Sequence, residues 1–158
     1  MKRFALFAIL SILLFPAALA AKDAQPQFKN IVVKPLANAE GVTLPKGAAE
    51  AFSEHLRNKL QKINLGAQVV DDGLKVAEAN AADSIVIETK VTEYKRTSFG
   101  GQEHIILDIG IFRLSDHTLI KSITPKLTVG GCIAEYCQRN GIAFAGEDAA
   151  KDIMKALK

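Results

Sequence analysis

A chain of 158 residues is long enough for one domain with a real core and short for two. Its formal charge of +3 owes much to the first twenty residues, which carry Lys2 and Arg3 and no acid; without them 18 basic residues face 17 acidic ones. The charges are interspersed, which sets aside a nucleic-acid surface, where a basic patch or stripe is expected.

The chain opens with the three-part layout of a secretory leader. A basic start at Lys2 and Arg3 precedes an almost wholly apolar run from Phe4 to Phe15, and Pro16 then breaks it. Ala18-Leu19-Ala20 supplies small residues at the cleavage-reading positions, so cleavage is expected after Ala20 or Ala21. The run is short for an anchor, which needs about 20 apolar residues. No cysteine follows the cleavage point to carry a lipid. The expected mature protein is therefore periplasmic and soluble, with neither a transmembrane span nor a lipid anchor.

A polar linker at 21–27 leads to a single domain at 28–158. Ile31-Val32-Val33 is a short β-branched run stopped by Pro35, and it predicts the first strand. A loop follows, in which Gly41 suits a positive φ. A helix is expected from Pro45 to Ile63, with Ala49, Phe52, Leu56, Leu60 and Ile63 along one face. Glu50, Glu54, Arg57, Lys59 and Lys62 fall on the outer side, acids early and bases late, as the helix dipole favours. Gly66 is placed for a cap or turn. Residues 67–70 predict a second strand, and a weak alanine-rich helix follows over 73–81.

The central strand is expected over Asp83–Tyr94. It starts with consecutive branched apolar residues, as a strand buried on both faces does, and ends in alternation. A turn at Arg96–Gly101 leads to a strand over Glu103–Leu114. There Ile105, Leu107, Ile109 and Ile111 share one face, and Asp108, Gly110 and Phe112 share the other. Further pairing is expected over 118–124 and 126–129, interrupted by Pro125, which cannot donate into a ladder. Residues 130–146 show no clear periodicity and read as a long glycine-bearing loop. A final helix over 147–158 buries Ala150, Ile153 and Leu157. The fold class is α+β, a mixed sheet of four to five strands in the order β-α-β-α-β-β-β-α, with helices packed on it and an open edge.

This layout resembles a group of bacterial envelope domains. They are the amino-terminal domain of the Tol–Pal translocation protein, the penicillin-binding-protein activator lipoproteins and related lipoprotein families. The residues that carry the resemblance are Ile31–Leu36, the helix through Phe52–Leu56, Ala82–Ile87 and Leu107–Leu114. The resemblance implies a fold far more than an activity. The chain departs from the group in lacking the lipidated cysteine and in its cysteine-bearing loop.

Cys132 and Cys137, an even pair in an exported chain, read as a disulfide staple that contributes about 1–3 kcal/mol. A redox pair prefers two intervening residues at a helix start, and a free or metal-bound pair is the remaining alternative. His55, His104 and His117 show no metal-ligand spacing. Asp83 reads as a turn residue entering the strand. Asp108 is either exposed at the sheet margin or buried against Arg113 or Lys121. No nucleophile elbow or phosphate-cradling loop is present, so the chain is read as non-enzymatic and without a cofactor. Phe99, Tyr136 and Phe144 are the candidate contact residues, on loops expected to lie close together. The expected function is an exported binding or adaptor protein of the cell envelope, acting on a protein partner. The alternative is a periplasmic binder of a small molecule or metal.

Overall fold

The computed structural model describes residues 28–63, 67–71, 78–96, 102–130 and 135–158, with backbone alone at 71, 78–80 and 135–140. The expected leader and linker, Gly66, residues 73–77 of the expected weak helix, Ser98, Phe99 and Cys132 lie outside the described residues, and the expected Cys132–Cys137 pairing with them.

The β-branched run forms β1 (Asn30–Val33), followed by a two-residue β2 (Ala37–Asn38). Helix α1 (Ala48–Ile63) leads to β3 (Gln68–Asp71), and a 3-10 turn at Glu78–Asp83 delivers the chain into β4 (Ser84–Arg96). Then come β5 (Glu103–Arg113), β6 (Leu119–Ile123), β7 (Lys126–Val129) and α2 (Glu135–Ala156). The strands make one mixed sheet in the order β3-β1-β4-β5-β6, with β2 also on β4 and β7 also on β5. β1 runs parallel to both β3 and β4, whereas β4 and β5 form a long antiparallel ribbon. β4 is thus the middle strand of the path, as its start with four buried residues, Ser84 to Ile87, requires.

Both helices cover one face. Ile31, Val33, Ile85, Ile87, Val91, Ile105, Leu107, Ile109 and Ile111 meet Phe52, Leu56 and Leu60 of α1 and Ile142, Ala145, Ala149 and Ile153 of α2. The two helices approach one another closely at Gly146. A Cβ there would fall 2.5 Å from the Phe52 carbonyl oxygen of α1. Ser53, also buried, fastens the β1–β2 linker to α1. Its Oγ accepts the Leu36 amide at 3.1 Å and donates to the Ala49 carbonyl at 2.9 Å. The opposite sheet face carries a smaller cluster of Val32, Val70 and Val86 with Phe112 and Leu114. The Phe112 ring lies across Gly110, where any Cβ would collide with it, and stacks on His117 at 4.4 Å.

Several expectations are corrected. Residues 130–146 are not one aperiodic loop, because α2 begins at Glu135 and absorbs most of them. Beside Ile142, Ile153 and Met154, the buried arc of α2 holds Ala143, Ala145, Gly146, Ala149 and Ala150, whose small size suits close packing on α1. Helix α1 starts at Ala48 and not at Pro45, since Gly47 has φ +74 and leaves the helical region. The expected weak helix is, in its described part, a 3-10 turn ending at Asp83. The pairing expected over 118–124 and 126–129, interrupted by Pro125, is found as β6 and β7. Both pair with β5, end to end, and the Pro125 carbonyl between them accepts the Leu107 amide at 3.1 Å. Gly41 does take a positive φ, of 78°.

Candidate functional site

Three places in the molecule combine unusual side chains. On the outer face of the helical layer, Phe144 of α2 is 55% exposed. Its position follows from the helix packing, because the buried Ala143, Ala145 and Gly146 turn residue 144 outward. The His55 ring of α1 meets Phe144 edge-on, 5.9 Å between centroids and 79° between planes. His55 Nδ1 lies 3.3 Å from Glu147 Oε1, and Lys59 Nζ lies 3.7 Å from Glu147 Oε2. Lys59 is therefore turned toward α2 and not simply outward. A dent of about 110 Å³ lies between His55, Asn58, Lys59, Lys62 and Glu147. Tyr136 sits in the first turn of α2, about 12 Å along the axis from Phe144.

The second place lies at the far end of the β4–β5 ribbon. A bulge at Thr92 shifts the register, so that Val91 pairs Leu107 but Glu93 pairs Ile106. Thr92 Oγ1 donates to the Ile106 carbonyl at 3.2 Å. The extra residue reverses the alternation and brings Tyr94 and Arg96 to the face that Glu103 shares. Glu103 is 0% exposed. Its Oε1 accepts the Tyr94 hydroxyl at 3.1 Å, and its Oε2 has no hydrogen-bond partner among the described residues. A Cβ on Gly141 would lie 2.8 Å from that Oε2, so a glycine of α2 makes room for the carboxyl. Burial pushes the Glu103 pKa up, against the opposing effects of the Tyr94 hydrogen bond and the Arg96 charge. Burial and then the Glu103 charge push Tyr94 up to about 12. Glu103, under Gly141 and beside Val129, shows that the end of the 99–103 segment and the 130–144 segment converge.

The third place is a groove of about 390 Å³ between the sheet edge and the last turns of α2. Lys121, Ile123, Thr124 and Pro125 line one side, and Asp152, Lys155 and Ala156 the other.

Of the candidate contact residues, Phe144 is exposed on α2, Tyr136 is placed by its backbone only, and Phe99 is outside the described residues. Asp108 is exposed and accepts the Thr124 hydroxyl at 3.2 Å, while Arg113 turns to Asp116 at 3.5 Å, so the two do not form a pocket. His55, His104 and His117 stand apart on α1, the start of β5 and a turn. Glu88 lies 3.7 Å from His117, which has φ 55. Asp83 is a strand-entry residue, paired with Lys29 at 2.6 Å. Among the described residues no group of three or more acidic, histidine or cysteine side chains is placed to hold a metal. No helix among them is long and apolar enough to cross a membrane.

Sequence reasoning missed Glu103 as a buried acid. The signal was there, because the alternation Ile105, Leu107, Ile109, Ile111 extends back by one step to it. Tyr94 carried no such signal, since the bulge alone turns it inward.

No protein-family model matches the chain, and a comparison with curated proteins finds no match. Solved structures do match. PelC from Paraburkholderia phytofirmans, in a single-substitution form crystallised as a dodecamer, is 16% identical, with a TM-score of 0.57 over 83% of this chain and 89% of that one. Protein XCC0632 from Xanthomonas campestris is 12% identical, with a TM-score of 0.53 over 84% and 85%. Hypothetical protein CT253 from Chlamydia trachomatis is 11% identical, with a TM-score of 0.50 over 82% and 91%. These likenesses establish a shared fold across almost the whole described chain. They do not carry the narrower resemblance to the Tol–Pal domain or to the penicillin-binding-protein activators.

Proposed function

We propose that the chain acts as an exported, non-enzymatic adaptor of the bacterial cell envelope, working through protein–protein contact. The leader-like first twenty residues and the fold shared with bacterial proteins such as PelC support the setting. The observation that carries the contact reading is Phe144, more than half exposed on a rigid two-helix face. A lone exposed leucine on a surface needs no explanation, but a large ring set edge-on against the His55 imidazole, which itself lines a polar dent with Glu147, Lys59 and Lys62, has the make-up of an interface anchor with a polar rim. Tyr136 and Phe99 belong to the same proposal.

The test is quantitative capture of envelope proteins on the mature chain, wild type against Phe144→Ala. The ring is exposed, so the variant should fold as the wild type does. Loss of an interface anchor weakens binding by about 1–2 kcal/mol, or roughly five- to thirty-fold. An identical set of proteins recovered in identical amounts would show that this face is not the contact surface. Light scattering on both forms belongs to the same experiment, because a PelC structure is a dodecamer and a second copy of the chain is one partner the face could take.

A further inference from the structure

The sheet ends at β6, and among the described residues no strand pairs with its outer side. Sheet edges are normally defended by charge, proline or bulges. β6 has all three, in Lys121, Pro125 and the extra residue Ile120 between its pairings at Lys121 and Leu119. Defence does not account for two other observations. Leu119 and Ile120 expose large apolar side chains, at 53% and 38%. The 390 Å³ groove lies just where α2 overhangs the helix-facing side of this strand. That volume falls within the range of roughly 300–1,000 Å³ typical of clefts that hold a ligand.

We propose that β6 and this groove form a docking site for an extended segment of a partner protein, apolar and acidic in alternation, which adds to the sheet as a further strand. This deepens the adaptor reading and rests on it. A strand added to β6 would lie about 4.8 Å beyond it, and its alternate side chains would point to the helix-covered side. On that side the carboxylates meet Lys121 and Lys155, and Ile123, Pro125 and Ala156 pack against their methylene stems. The two lysines face the groove from opposite walls, neither has an ion-pair partner among the described residues, and the lining holds a single acid, Asp152. The excess of cations selects carboxylates and disfavours lysine-bearing segments. The apolar side chains, on the other face of the added strand, would lie beside Leu119, which the bulge turns next to Phe112.

The probe is a fluorescein-labelled nine-residue peptide alternating valine with glutamate, compared with its valine–lysine counterpart by fluorescence anisotropy on the full mature chain. The acidic peptide should bind at least about tenfold more tightly than the basic one. Lys121→Glu with Lys155→Glu should reverse that preference, which a merely unfolded variant could not do. Ala156→Phe should weaken both peptides by filling the groove. Amide exchange should slow at Leu119–Ile123 on adding the acidic peptide. Binding that ignores the charge reversal, protection elsewhere in the chain, or protection of β6 that depends on protein concentration without peptide would each overturn the proposal, the last by making a second copy the occupant. Phe144→Ala should leave peptide binding unchanged. If the peptide fails while Phe144-dependent capture persists, strand addition falls and the adaptor reading stands.

Discussion

Replacing Gly146 by alanine tests how the helical layer is held to itself. The new Cβ would sit 2.5 Å from the Phe52 carbonyl oxygen and 3.1 Å from the Leu56 amide nitrogen. Comfortable contact needs about 3.5 Å, so the helices must part by about 1 Å or α2 must turn. Neither movement is easy. The obstructing atoms are backbone, and Phe52 and Leu56 on the same stretch of α1 are both 0% exposed, locked in the core. Overpacking costs about 1–3 kcal/mol, and this case belongs at the upper end because no side chain can swing aside. Alanine returns about 1 kcal/mol through its better helix propensity. The net loss is about 2 kcal/mol, or a melting temperature lower by roughly 6–10 °C for a domain of this size. Thermal and urea unfolding followed by circular dichroism measure both. Gly130→Ala is the control, since nothing lies within 4 Å of its added methyl, and it should move stability by less than about 0.5 kcal/mol. A Gly146→Ala protein as stable as the wild type would refute the claim that the α1–α2 spacing is set at this residue.

Glu103 makes stability depend on pH. Its folded pKa is raised above the ordinary value of 4.5, mainly by burial, so the folded form holds the proton more firmly than the unfolded form. Stability should then be full below about pH 4.5, fall as pH rises through the folded value, and level off above it. Glu103→Gln keeps an acceptor for Tyr94 and should abolish that fall; parallel curves for the two proteins in urea melts between roughly pH 4 and 8 would refute it. Thr89 is 3% exposed, and its Oγ1 has no hydrogen-bond partner, on the strand face shared by Ile87 and Val91. Thr89→Val removes the buried hydroxyl at nearly constant shape and should stabilise the protein by about 1 kcal/mol, measured by urea titration; a loss of that size would show that the hydroxyl has a partner in solution.

Much of the sheet could be read from residue order alone. The consecutive apolar start of β4 announces a strand with neighbours on both sides, and the five-step alternation of β5 names its buried face. The helical layer was half legible. In α1 large residues recur at three and four, whereas the buried positions of α2 between 141 and 150 are, Ile142 aside, alanine and glycine, which leave little apolar rhythm. Gly141 and Gly146 even argue against a helix by propensity, yet both are there to let something else approach, the Glu103 carboxyl and the α1 backbone. The pairing of half-buried Tyr94 with buried Glu103 depended on a one-residue bulge, and a parity rule fails beyond any bulge. The edge groove joins residues about thirty positions apart, Lys121 and Lys155 among them, and only the packing of α2 against β6 reveals it.

The placement of β1 between β3 and β4 has a consequence for how the chain comes to be folded. The first strand made is an interior one, and its neighbours arrive late: Ile31 must wait for Val69 on one side and Ile85 on the other. Until nearly half of the polypeptide has emerged, that first ribbon has no ladder to join, and it gains its second neighbour only past the midpoint; loop closure over so many residues is slow. The β4–β5 hairpin, by contrast, closes locally. The later-made half should therefore gather first and serve as the template onto which the amino-terminal strand docks, so a chain cut short before Arg113 would leave its own beginning unable to settle.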